Sequence, residues 1–180
     1  MRLGADGLVA GARYLASPNC DQRPAGQAVT LLVVHSISLP PRQYGGDQIE
    51  RLFTNRLDPN EHPYFAELAG LRVSAHLLLR RNGEAVQFVP VHMRAWHAGE
   101  SIWHARTRCN DFSIGVELEG GDGEDYTDAQ YERLLELTRA LRAALPLRDV
   151  AGHSDIAPAR KTDPGDRFDW MRFLSALALQ

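Results

Sequence analysis

Of the twenty basic residues in this 180-residue chain, one is a lysine, Lys161, and all the others are arginines. A lysine kept in so arginine-biased a chain points to a task that arginine does poorly. Lysine offers a compact point charge on a flexible stem, whereas arginine offers a broad planar fork. Lys161 stands in the run G-H-S-D-I-A-P-A-R-K-T-D-P-G, Gly152 to Gly165, together with His153, Asp163 and the turn-forming Pro164-Gly165. A histidine, a carboxylate and an isolated ammonium are the parts of a metal-assisted hydrolytic site.

Such a site needs three protein ligands drawn from histidine and carboxylate, with a fourth position left for water. His35, His153 and Asp163 are the candidates. His35 ends an apolar run, so a strand can present its ring at a sheet edge. His153 follows Ala-Gly, which leaves room for a close approach. Pro164-Gly165 can turn the Asp163 carboxylate back. Spacing alone does not select these three, because no short H-x-x-x-H motif occurs, and His62, His76, His92, His97 and His104 read as surface or core residues. Glu117 and Glu119, in I-G-V-E-L-E-G, share one face of a strand by its period of two. A carboxylate there suits general-base work if it lies within hydrogen-bond reach of the water; two solvated acids on an open sheet face is the plain alternative. Lys161 would stabilise the oxyanion of a tetrahedral intermediate.

These residues need a frame to bring them together. Thr30 to His35 is a short apolar, β-branched run expected to form a buried strand, followed by a Pro- and Gly-rich loop over Ser36 to Gly46. Asp47 to Phe53 reads as a short helix, and Asn55 to Gly70 as a long irregular insertion of the kind that carries function. Ser74 to Arg80 and Glu84 to Val89 are strand-like and separated by Asn82-Gly83, a strong hairpin signal. Phe112 to Leu118 reads as another strand. Thr127-Asp128-Ala129-Gln130 is a capping box, and leucines at 134, 135, 137, 141 and 145 follow it at helical spacing up to Pro146. Arg148 to Gly152 suits a short strand leading into His153, and Phe168 to Leu179 a terminal amphipathic helix. The expected fold is α/β: one domain over residues 1–180, with a central mixed sheet flanked by helices.

Composition narrows the partners. The net charge is -3 with no run of basic residues, which excludes a nucleic-acid footprint, and no apolar stretch approaches a membrane span. Asp6 and Gly7 interrupt the N-terminus before any secretory apolar region forms, so a cytoplasmic protein is expected. Cys20 and Cys109 read as unpaired thiols in a reducing compartment. A monomer is expected.

Six blocks carry a resemblance. They are L-L-V-V-H-S-I-S-L-P-P from Leu31, R-V-S-A-H from Arg72, R-A-W-H-A-G from Arg94, C-N-D-F-S-I-G-V-E-L-E-G from Cys109, Y-T-D-A-Q-Y from Tyr126 and the run from Gly152 to Gly165. In this order they resemble the cytoplasmic 1,6-anhydro-N-acetylmuramyl-L-alanine amidases of bacteria, over roughly residues 5 to 175. These belong to the wider zinc amidase group, with phage lysozyme-type amidases and peptidoglycan recognition proteins. The resemblance implies one zinc ion per chain on His35, His153 and Asp163, Glu117 as general base and Lys161 as oxyanion stabiliser. It implies that Trp96 packs on the sugar and that Arg72 and Arg108 hold carboxylates of the stem peptide, a task suited to their bidentate fork. Ser36 is a departure: enterobacterial members carry asparagine there, and the shorter hydroxyl leaves a direct contact to the N-acetyl sugar open. The activity implied is zinc-dependent cleavage between 1,6-anhydro-N-acetylmuramic acid and L-alanine of a small muropeptide during peptidoglycan recycling. The rival expectations are an amidase of intact cell wall and a non-catalytic muropeptide-binding module.

Overall fold

Leu31 to Val34 have no exposed surface, which is what a strand buried on both faces requires. In the computed structural model, which describes residues 1–179, this run lies inside a six-stranded sheet. Its strands are β1 (Arg13–Tyr14), β2 (Leu31–Ile37), β3 (Leu77–Leu79), β4 (Ala85–Gln87), β5 (Ser113–Glu119) and β6 (Asp149–Gly152). The order is β6-β2-β5-β3-β4-β1. β6, β2, β5 and β3 run parallel, β4 is antiparallel to β3, and β1 is parallel to β4. The helices are α1 (Gln48–Phe53), α2 (Pro63–Glu67), α3 (Asp128–Ala144), α4 (His153–Ile156) and α5 (Trp170–Ala178). The mixed sheet flanked by helices agrees with expectation.

Residue parity along β2 and β5 divides the core. Leu32, Val34, Ile114, Val116 and Leu118 pack with Leu134, Leu137 and Leu141 of α3 and with Phe173 and Leu177 of α5. Leu31 and Val33 pack with Cys109, Phe112, Ala151 and Ile156 in a separate cluster. Strand period two therefore puts His35, Ser113, Gly115, Glu117 and Glu119 on the face away from α3. One helix layer seals one face with apolar side chains; on the other, an apolar cluster covers the start of β2, and His35 and Glu117 follow towards the strands' C-terminal ends. α3 starts as its sequence demands: Thr127 Oγ1 accepts from Gln130 N at 3.2 Å, and Gln130 Oε1 accepts from Thr127 N at 3.1 Å.

Two local expectations are refined. The Asn82-Gly83 hairpin exists, with Leu79 opposite Ala85, but Gly83 alone takes positive φ, at 84°. Gly83 N donates to Arg80 O and Arg80 N to Glu84 O, so the turn is a longer one closed by a left-handed glycine rather than a two-residue Asn-Gly turn. The Asn55 to Gly70 insertion is not wholly irregular: it holds α2, which begins where His62 Nδ1 accepts from Tyr64 N at 3.1 Å and Pro63 opens the first turn. Cys20 and Cys109 are free thiols. No described helix is long and apolar enough to cross a membrane.

Candidate active site

Parallel strands end together, and the crevice beyond their C-terminal ends is where open α/β sheets bind ligands. His35 lies near the end of β2, opposite Glu117 of β5 in register. β6 pairs with the other edge of β2 and ends at Gly152, so His153, the first residue of α4, arrives beside His35. Gly152 is required there, since a Cβ would come within 2.8 Å of Pro164 Cδ. The third member arrives on a tied loop. Asp163 O accepts from Ser154 N at 2.8 Å, Gly165 N donates to Thr162 O at 2.9 Å, and the Tyr126 hydroxyl donates to Pro164 O at 2.7 Å.

The result is a tight triangle. His35 Nδ1 and His153 Nδ1 are 2.9 Å apart, and Asp163 Oδ2 lies 3.2 Å from the first and 3.1 Å from the second. Both rings are buried, at 1% and 4% exposure. Burial lowers the His35 pKa to about 4, so its imidazole is neutral near pH 7 and offers a lone pair. Burial would raise the Asp163 carboxyl, but the two imidazoles against it outweigh that and hold it well below the ordinary carboxylate range. His153 Nε2 faces the Ala98 carbonyl at 3.2 Å. A carbonyl only accepts, so Nε2 carries the proton and Nδ1 of neutral His153 is free to ligate. Two imidazole lone pairs and one carboxylate oxygen thus converge on one point. In a tetrahedral zinc site with ligand bonds of about 2.0–2.1 Å the ligand atoms would lie about 3.3–3.4 Å apart, close to this triangle. Among the described residues this is the one group of three that meets the geometry of a metal centre.

Glu117 stands half-buried on the same sheet face, and its Oε2 is buried with no hydrogen-bond partner among the described residues. Burial raises its pKa well above the ordinary value, the charge of Asp163 adds to this, and Lys161 opposes it. A buried carboxylate oxygen without a partner is costly unless something outside the chain engages it. Glu119 differs from its neighbour. It is neither solvated nor at the site: its carboxylate accepts from Arg80 Nη1 at 3.1 Å and Gly45 N at 2.7 Å. The two acids of one motif therefore sit in different surroundings.

A groove of about 490 Å³ runs past the triangle, and Glu117, Lys161, Trp96, Arg72 and Ser36 all line it. Arg108 is not brought in. It is exposed, in the left-handed region at φ 61°, and its Nε lies 3.3 Å from Asp111 Oδ2. Sequence reasoning overlooked Tyr64 and Asn110, which also line the groove, and above all His97. Asn110 Oδ1 accepts from His97 N and Ala98 N at 3.2 and 2.8 Å, pinning this segment over the sheet. The half-buried Arg23 guanidinium in turn holds the Asn110 and Ser113 carbonyls at 2.9 and 2.8 Å. The signal for His97 was present, since it follows Trp96 in R-A-W-H-A-G, but nothing in one sequence separates it from a core histidine.

His97 lies flat on Gly115 of β5. A Cβ at position 115 would come within 2.5 Å of the ring's Cγ and Nδ1. Gly115→Ala is therefore expected to destabilise the protein by about 1–3 kcal/mol, as overpacking does. The check is urea unfolding, where the midpoint should fall with an unchanged slope.

A mixed α/β sheet with a His/His/Asp cluster and a half-buried carboxylate at the C-terminal ends of its parallel strands fits a hydrolase. The chain belongs to the N-acetylmuramoyl-L-alanine amidase family, whose model matches residues 25–166. It is 59% identical over 169 residues to the 1,6-anhydro-N-acetylmuramyl-L-alanine amidase AmpD of Escherichia coli K12, covering 93% of this chain and 92% of that one. A crystal structure of a selenomethionine derivative of AmpD superposes with a TM-score of 0.95 at 55% identity, covering 98% of this chain and 99% of that one. The amidase AmiD of E. coli, solved with anhydro-N-acetylmuramic acid-L-Ala-D-γ-Glu-L-Lys as substrate, matches with a TM-score of 0.61 at 30% identity, covering 86% of this chain and 60% of that one. The protein is thus an enzyme with N-acetylmuramoyl-L-alanine amidase activity.

Proposed function

We propose that this enzyme is a zinc amidase that cuts the amide bond between 1,6-anhydro-N-acetylmuramic acid and L-alanine of small cytoplasmic muropeptides, a step of peptidoglycan recycling. The observation that carries the metal is the triangle of His35 Nδ1, His153 Nδ1 and Asp163 Oδ2, with edges of 2.9–3.2 Å. Three electron-pair donors this close repel one another unless a cation or shared protons lie among them, and neutral imidazoles with an ionised carboxylate suit zinc. The substrate class rests on the AmpD relatives and on the anhydromuropeptide bound to AmiD. The whole chain, 1–180, is read as one amidase domain working as a monomer.

One zinc ion held by these three residues would polarise the scissile carbonyl and acidify the attacking water. Glu117 takes the proton of that water and returns it to the leaving amine of L-alanine. Its orphaned Oε2 and its desolvated setting suit a base poised for that transfer. Lys161, on the groove wall, sets an ammonium against the oxyanion as the carbonyl becomes tetrahedral. Trp96 offers an aromatic face to the sugar, and Arg72 a guanidinium to a stem-peptide carboxylate; Ser36 lines the sugar end. Arg108 completes the carboxylate clamp only if it leaves Asp111.

The test is mass spectrometry of a reaction with 1,6-anhydromuramyl tripeptide, with and without a zinc chelator. Free anhydromuramic acid and free tripeptide should form only where zinc is retained. An enzyme that holds zinc and leaves this substrate intact, yet releases peptide from purified sacculi, would overturn the substrate assignment. Turnover that is indifferent to the chelator would overturn the metal.

A further inference from the structure

His153 takes its tautomer from a backbone carbonyl, but no carbonyl faces the outer nitrogen of His35. Its Nε2 instead meets Nδ1 of His97 at 2.9 Å, the rings standing edge to face at 87°. The other nitrogen of His97, Nε2, lies 3.1 Å from Ser113 Oγ, and Ser113 Oγ lies 2.6 Å from the Cys109 carbonyl. The direction of this chain follows from its last member. The Cys109 carbonyl can only accept, so the single Ser113 hydroxyl proton is spent on it. Ser113 Oγ must then accept from His97 Nε2–H. Neutral His97 has one ring proton, so its Nδ1 is a lone pair that accepts from His35 Nε2–H. The His35 proton is thereby placed on Nε2, and Nδ1 faces His153 and Asp163 bare.

The ring is held for this task. Gly115 leaves the space for it, and Asn110 fixes its backbone. His76, at 5.7 Å between ring centroids, is engaged by other groups. Its Nδ1 accepts from Gly115 N at 3.1 Å, so its Nε2–H points to the Met93 carbonyl at 3.1 Å; Arg23 Nη2 also lies 3.1 Å from Nε2, and both ring nitrogens are occupied without His97.

We propose that His97 is a positioning residue for the metal centre, fixing the tautomer and ring orientation of His35 through the relay His35–His97–Ser113–Cys109 carbonyl. The proposal rests on the zinc reading above. Outer partners of metal-bound histidines commonly orient the ligand and raise its basicity, and here a neutral histidine takes the part usually played by a carboxylate or carbonyl.

The experiment is zinc affinity, measured by competition with a chromophoric chelator, for wild type, His97→Leu and His97→Asn. Leucine fills about the same space without an acceptor, while the asparagine side-chain oxygen can stand near the place of Nδ1. His97→Leu should bind zinc roughly 10–100-fold more weakly, and His97→Asn should recover most of that loss. Equal affinity in all three proteins would overturn the proposal. So would equal losses in the two variants, because the ring would then matter for packing rather than as an acceptor. If His97→Leu does not fold, His97→Phe, a ring without an acceptor nitrogen, takes its place: a loss of roughly 10–100-fold beside a recovering His97→Asn supports the relay, and wild-type affinity in His97→Phe overturns it. A wild-type protein that binds no zinc is a separate result, which overturns the proposed metal centre itself.

Discussion

Asp163→Ala is expected to remove zinc and amidase activity together. In the proposed zinc centre the carboxylate would supply one of three ligands and the only negative charge in the triangle. Its loss should weaken zinc binding by more than the roughly 10–100-fold that loss of an outer-shell partner costs. Activity should fall in proportion to bound zinc, and excess zinc should restore it only in part, because the remaining two histidines leave the ion free to shift. Zinc content by elemental analysis after dialysis, read beside turnover, checks this. A variant that keeps stoichiometric zinc and loses activity would move Asp163 from ligand to catalytic group. The fold itself should survive, since the ligand loop is also tied through Ser154 N and the Tyr126 hydroxyl to backbone oxygens that the substitution leaves in place.

Glu117→Gln should behave in the opposite way: full zinc occupancy, unchanged muropeptide binding, and a fall in kcat of about 10²–10⁴-fold, the usual contribution of a general base. Stability supplies an independent readout. Burial raises the folded-state pKa of Glu117 above its unfolded value. For an acid shifted in that direction, the charged form is disfavoured in the fold, so stability falls as pH rises through the unfolded pKa and is lowest above the folded one. Glutamine has no charge to bury. The metal-free variant should therefore be at least as stable as metal-free wild type at pH 7, and the gap should close below the unfolded pKa of about 4.3. A variant that is both inactive and unstable would point to a structural role. Gain of stability with loss of turnover is the mark of a group placed for chemistry at the expense of the fold.

Much of this enzyme could be read from its sequence because the relevant physics is local. The Thr127 to Gln130 capping box and the leucines after it define α3 without reference to anything else. Four apolar residues before His35 define a buried strand, and period two in I-G-V-E-L-E places Glu117 on a face. The six ordered blocks carried the family, and with it the expectation of three ligands, Glu117 and Lys161. Other features were beyond its reach, since each depends on which elements become neighbours. Glu117 and Glu119 are equivalent by pattern; the approach of Arg80 and Gly45 decides that one is neutralised within the fold and the other left bare. Arg72 and Arg108 are equivalent by type, yet one lines the groove and the other pairs with Asp111. His97 is the sharpest case. Its place against His35 requires β2 and β5 to be adjacent in register, a glycine at 115 beneath the ring, and a serine and a carbonyl to receive its proton. Sequence by itself determined which residues could do chemistry, because side-chain type is a local property. Only the tertiary structure decided which of them face one another, because the direction of a hydrogen bond and the cost of a buried charge belong to pairs of residues far apart in the chain.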